Sequence, residues 1–165
     1  MTEVENKSME KLKELYERDF TLWAEINCKL LKEKKYEQAD WENILEELQD
    51  MARRYLDSAT SYLTIILEHL YKLEHFKKLE DAGSGWVDSI LNARERIERL
   101  LRKHPSLKQK LPAELQDAWE DAILELRAWL RKNRIDPDTW HLPEKSPYTY
   151  EEAMTRDVVK EFKNL

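Results

Sequence analysis

Glycine and proline are nearly missing from this chain. Two glycines and five prolines stand in 165 residues, and all seven lie at or after Gly83. Residues 1–82 therefore hold neither strong chain breaker, so nothing of that kind interrupts long helices there. Cysteine occurs once, at Cys28, which excludes an internal disulfide and suits a reducing compartment. No apolar run approaches the roughly 18 residues of a membrane span. The N-terminal MTEVENKSMEK lacks an apolar signal core. These absences lead to the expectation of a soluble cytoplasmic protein without a membrane segment. Also missing are a phosphate-binding glycine loop, a serine nucleophile motif and any Glu-x-x-His pair. No catalytic residue, metal or cofactor is assigned.

What is present is charge and helix-forming side chains. Asp, Glu, Lys and Arg make up 38% of the chain, with 34 acids against 28 bases and a net charge of −6. That acidity favours solubility and weighs against general nucleic-acid binding, although a local basic patch can still act.

Apolar residues recur at helical spacing along most of the sequence. Leu12, Tyr16, Trp23, Ile26 and Leu30 mark a helical stretch over 8–33, which Asp19 interrupts as a candidate cap for a second helix. Asp40 reads as the N-cap of a long helix from Trp41 to about residue 77, on the order of 55 Å at about 1.5 Å per residue. The hydroxyl-rich stretch 57–61 is the place where that rod would bend. "DAGSGW" (81–86) reads as a loop, with Ser84 or Gly85 capping a third helix that ends near His104, before a proline. Pro112 suits the first turn of a fourth helix. Residues 133–154 form an extended arm, and Thr149 with Glu152 makes a capping box for a last helix. Trp23, Trp41, Trp86, Trp119 and Trp129 fall on predicted core stripes, and Trp140 is placed to clamp the arm.

The stretch ADWENILEELQDMARR (39–54) raises the question of a metal site. On a wheel of about 100° per residue with Trp41 at zero, the apolar stripe centres near 345°. Glu46 falls near 140°, Asp50 near 180° and Glu47 near 240°, all turned from the stripe. A metal-holding bundle needs inward carboxylates, so these acids read as solvated or partner-facing. Cys28 and the four histidines form no ligand pattern. Arg94 lies about 60° from the centre of its stripe and needs a carboxylate if buried, with Asp19 as a candidate. With His69 on the flank of the long helix, Asp19 and Arg94 make a possible buried polar cluster. Arg96, Arg99, Arg102 and Lys103 make the third helix basic, a possible phosphate-backbone footprint. The acidic start of the fourth helix offers an internal counterweight.

Five blocks then stand in order: YERDFTLW (16–23), DWENILEEL (40–48), LEHLYKLE (67–74), GWVDSILNARERIERLLRKHPSL (85–107) and SPYTYEEAM (146–154). Together they resemble a bacterial, especially cyanobacterial, family known as domain of unknown function 29, over about residues 16–158. The family pattern maps onto Tyr16, Asp19, Phe20, Trp23, Asp40, Trp41, Asn43, Glu46, Glu47, Arg94, Pro105, Ser106 and Leu107. The resemblance implies an all-helical bundle and no established activity. It also implies that Glu46 and Glu47 form a partner surface rather than a merely wet one. One departure is Ser146-Pro147-Tyr148 where family members tend to carry Cys-Pro-Tyr, so a thiol there is not essential to this chain.

The expected fold is an all-α antiparallel bundle, about four main helices around one long central helix, with a C-terminal arm and a short last helix. Residues 1–15 read as a polar extension, 16–158 as a single domain and 159–165 as a tail. The expected function is a non-catalytic interaction module that self-associates or meets an unknown protein partner, because the long helix outreaches its neighbours. The alternatives are a nucleic-acid-linked regulator using the basic third helix and an enzyme with a polar pocket near Asp19, His69 and Arg94.

Overall fold

A computed structural model describes residues 2–77 and 83–162, and all of its regular structure is helical. The main elements are α1 (Glu3–Arg18), α2 (Phe20–Lys32), α3 (Trp41–Phe76), α4 (Gly83–Lys103), α5 (Leu107–Lys110), α6 (Leu115–Lys132), α7 (Tyr150–Thr155) and α8 (Val158–Phe162). The expected all-α bundle with one long helix is what the chain forms. Contacts group it into two compact units, residues 1–53 and 54–165, and α3 contributes residues to each.

In the first unit α1 starts earlier than the polar composition of residues 1–15 suggests. Thr2 and Glu5 form a reciprocal capping box, with the Thr2 hydroxyl accepting from the Glu5 amide and the Glu5 carboxylate accepting from the Thr2 amide. Asp19 then ends α1 and caps α2, its carboxylate accepting from the Leu22 amide at 3.1 Å. The α2 terminus uses Lys34 at φ 60°. The Lys35 amide reaches back to Leu30 and the Lys34 amide to Leu31, a Schellman closure built without glycine. Leu12, Trp23 and Ala39 are buried in this unit. Tyr16, Phe20 and Trp23 form an aromatic group with centroids 5.0 to 5.9 Å apart.

In the second unit one hydrophobic core runs from Leu56 through α4 and α6 to the arm. The expected bend site in α3 is accommodated within the helix. Ser58, Thr60, Ser61 and Thr64 each donate to the carbonyl four residues back, and α3 continues to Phe76. Residues 81–82 of the expected loop lie outside the described residues. From Gly83 the chain is already helical, so Ser84 and Gly85 sit inside α4 rather than capping it. The link after α4 becomes the single turn α5 and a 3-10 turn over Leu111–Glu114, with Pro112 near its start. After α6, Arg134 at φ 60° closes a second glycine-free Schellman motif, the Ile135 amide reaching the Leu130 carbonyl.

The arm is fastened by side chains. Trp140 donates its indole N–H to the Tyr71 hydroxyl at 3.0 Å, the clamp expected of it. Trp119 donates to the Pro143 carbonyl, Gln116 to the Glu144 carbonyl and Tyr148 to Glu74. The Thr149–Glu152 capping box opens α7 as the sequence indicates. Residues 158–162, mostly assigned to a tail, form α8, and Lys77 donates to the Phe162 carbonyl there.

Candidate functional site

The first half of α3 is oriented against expectation. The apolar stripe that opens α3, Trp41, Ile44, Leu45, Leu48 and Ala52, is expected to face a core, yet all of them except the half-buried Ile44 are exposed. Trp41 is 43% accessible, Leu45 53%, Leu48 54% and the adjacent Met51 54%. Trp41 is therefore no core residue, although its indole N–H is satisfied by the Tyr36 carbonyl at 2.7 Å. Amphipathicity shows that a helix has an apolar side; it does not say what covers it.

The polar side of this segment carries the internal bonds. Asp40 is 1% accessible and is the hub. Its carboxylate accepts from the Trp23 indole at 2.9 Å and from the Asn43 amide side chain at 2.7 Å, and it caps α3 through the Asn43 amide. Buried Asn27 accepts from the Asp40 amide and donates to the Trp23 carbonyl. Glu47 accepts from the Tyr16 hydroxyl at 2.7 Å, so it faces α1 rather than open solvent. That bond, helped by partial burial and by the Glu47, Glu46 and Asp50 charges, pushes the Tyr16 hydroxyl up to about 12. Glu42 pairs with Lys13 at 2.7 Å. Glu46 stays exposed. Most family-pattern residues of the first two blocks thus belong to one network that fixes where α1 and α2 meet the start of α3.

The three residues of the suspected polar cluster each have separate employment. Asp19 caps α2 in the first unit and is exposed. Arg94, in the second unit, finds backbone instead of the expected carboxylate. Its Nε donates to the Ala153 carbonyl and its Nη1 to the Arg156 carbonyl, both at 2.8 Å. Those two carbonyls flank the end of α7, so Arg94 fastens the final turns onto α4. Burial lowers the Arg94 guanidinium, with Asp157 pulling the other way. Arg156 completes the clasp by pairing with Glu74 and Glu161, and its pairing holds the Glu161 carboxyl below the usual range.

His69 donates Nδ1–H to the Ile65 carbonyl at 2.7 Å and lies 3.9 Å from Glu68. Glu68 also pairs with buried Lys72, whose ammonium sits 5.1 Å from the Trp129 ring centroid and 5.9 Å from that of Trp86. Burial lowers the His69 imidazole from its ordinary value near 6.5, against the smaller pull of Glu68. The unfolded chain therefore takes up this proton first as pH falls. Stability from this group is complete above 6.5 and is lost as pH drops from there toward the lowered folded value. The urea midpoint is expected to fall between about pH 7.5 and 5.5, and to fall less in His69→Gln. An equal fall in the variant would remove His69 as the source.

Arg96, Arg99, Arg102 and Lys103 are exposed on α4. Arg99 pairs with Glu95 within the helix, and no ion pair ties these four bases to the acids of α6 among the described residues. Open clefts of about 680 and 270 Å³ lie in the first unit, lined by residues including Met9, Tyr36 and Leu30 and by none of the suspected cluster. Among the described residues no group of three or more His, Cys, Asp or Glu is placed to hold a metal. No helix among them is long and apolar enough to cross a membrane.

The helical architecture, the fastened arm and the Asp40 network define an all-α bundle protein in which Tyr16, Trp23, Asp40, Asn43, Glu47 and Arg94 of the family pattern make internal bonds. The family described as Domain of unknown function DUF29 matches residues 15–159, most of the chain, and the protein belongs to that family. No curated protein and no solved structure matches it.

Proposed function

We propose that this protein is a non-catalytic helical interaction module that associates with itself through the first half of α3. The observation that carries the reading is the exposed row of Trp41, Leu45, Leu48 and Met51 on one side of that helix. Single exposed leucines are ordinary; four large apolar side chains in a row on an otherwise charged protein favour a contact surface. The non-catalytic part rests on Asp19, His69 and Arg94, each held by structural bonds of its own. A reducing, cytoplasmic setting suits the lone exposed Cys28.

Native mass spectrometry and sedimentation test the reading. The intact chain at about 50 µM is expected at a whole multiple of 19.9 kDa. Leu45→Glu with Leu48→Glu is expected to give a monomer of unchanged helicity, because both side chains are exposed in the single chain. A monomeric wild-type protein at that concentration would sink the proposal.

A further inference from the structure

We infer that the outward face of α4 is a docking surface for the phosphate backbone of duplex DNA. The inference is independent of the apolar row on α3 and of self-association. Residues 94–110 hold seven Lys or Arg against two Glu, in a chain whose net charge is −6. The helix gathers part of this excess into one row. On a wheel of about 100° per residue with Arg96 at zero, Arg99 falls at about 300° and Lys103 at about 340°. The buried Ile90, Ala93 and Ile97 centre at about 90°, so the row faces away from the core. Arg94, at about 160°, fastens the final turns of the chain on the side opposite the row. Arg96, Arg99, Arg102 and Lys103 are all exposed. Of the two acids, Glu95 pairs with Arg99 and Glu98 falls at about 200°, off the row.

The chemistry of this face selects its partner. Duplex DNA carries one phosphate charge per about 1.7 Å of its axis, and Lys or Arg side chains that meet phosphates release condensed counterions. A helix enters a major groove about 12 Å wide, and the row from Arg96 to Lys103 is about 10 Å long at about 1.5 Å per residue. Long basic side chains at its two ends then reach both backbones. A protein partner would call for an aromatic or apolar centre, and an anionic membrane for apolar side chains to insert. Among the described residues of α4, Leu91 is the one large apolar side chain left exposed. A single strand would call for open rings on which its bases stack. The ring pair that follows the row, His104 on Tyr55 with centroids 3.9 Å apart, is stacked on itself. A polar, strongly basic face is what a protein–DNA interface has.

Fluorescence anisotropy of a labelled duplex of about 20 base pairs with the full-length protein tests this. The dissociation constant is expected on the order of 10 µM at about 50 mM salt, weakening about fortyfold by about 200 mM, the slope for about three phosphates. Arg96→Gln, Arg99→Gln and Lys103→Gln together are expected to weaken binding more than about tenfold without loss of helicity, because all three side chains are exposed. Arg96→Gln or Lys103→Gln alone should each lower the salt slope by about one. Lys29→Gln with Lys32→Gln, on α2, is expected to leave binding within about twofold of wild type. Loss in the α4 variants and retention in the α2 variant support the assignment. No binding at about 100 µM protein in about 50 mM salt, or equal weakening in both sets of variants, overturns it. Tighter binding to the single strand of the same length, to phosphatidylserine vesicles or to polyglutamate also overturns it.

Discussion

Trp119→Ala is expected to cost about 4 kcal/mol of stability, the largest effect of any single substitution considered for this protein. Trp119 is fully buried, its ring lies 5.7 Å from that of Tyr71 and 6.4 Å from that of Tyr148, and its indole N–H holds the Pro143 carbonyl. Alanine therefore removes a large apolar volume, leaves a cavity at the centre of the second unit, and frees one fastening of the arm. For a chain of this size the melting temperature should fall by about 10 °C or more. Trp119→Phe keeps most of the ring volume and loses the N–H, so it should cost about half as much. Urea denaturation of the two variants beside wild type provides the comparison. A loss under about 1 kcal/mol for Trp119→Ala would mean that the core around α6 is not packed as described.

Asp40→Ala is expected to cost about 3 kcal/mol, with the damage centred in the first unit. The substitution deletes one acceptor group that serves both the Trp23 indole and the Asn43 side chain, and it removes the α3 cap. The Trp23 N–H would then be buried without a partner, and an orphaned buried donor costs more than the bond it once made is worth. Asp40→Asn retains one acceptor oxygen and should recover roughly half of the loss. Hydrogen exchange read residue by residue gives the location. Amides of α2 and the first turns of α3 should exchange faster, while those of α6 stay protected. Equal acceleration in α6 would show that the Asp40 network stabilises the whole chain rather than its own surroundings.

The sequence makes local signals plain. Asp19 as a cap, the Thr149–Glu152 box and the continuous α3 all follow from short-range chemistry, and the structure has each of them, whereas Pro112 opens a 3-10 turn ahead of α6 rather than the first turn of that helix. The Thr2–Glu5 box is an equally local signal and starts α1 ahead of the apolar stripe, which begins only at Leu12. What the sequence hides is direction. The stripe on α3 looks the same whether a core or a second molecule covers it, so the exposed half could not be separated from the buried half. A buried Arg94 calls for a carboxylate by charge alone, while its acceptors are backbone carbonyls, which carry no residue identity to read. Lys34 and Arg134 close helices in a conformation usually left to glycine, so these stops had no visible marker. Asp40 was legible as a cap but not as the acceptor for Trp23, seventeen positions earlier.

The fastening of the arm also sets a timetable. The bonds described in the first unit join residues before position 54 and need no partner later in the chain. The second unit waits for Tyr148 to reach Glu74, for the carbonyls of Ala153 and Arg156 to reach Arg94, and for Phe162 to reach Lys77. At about 5–20 residues per second, the core residues of α3 and α4 spend seconds without the strand of chain that closes over them. The last turns of the chain are thus the final stitch of the second unit.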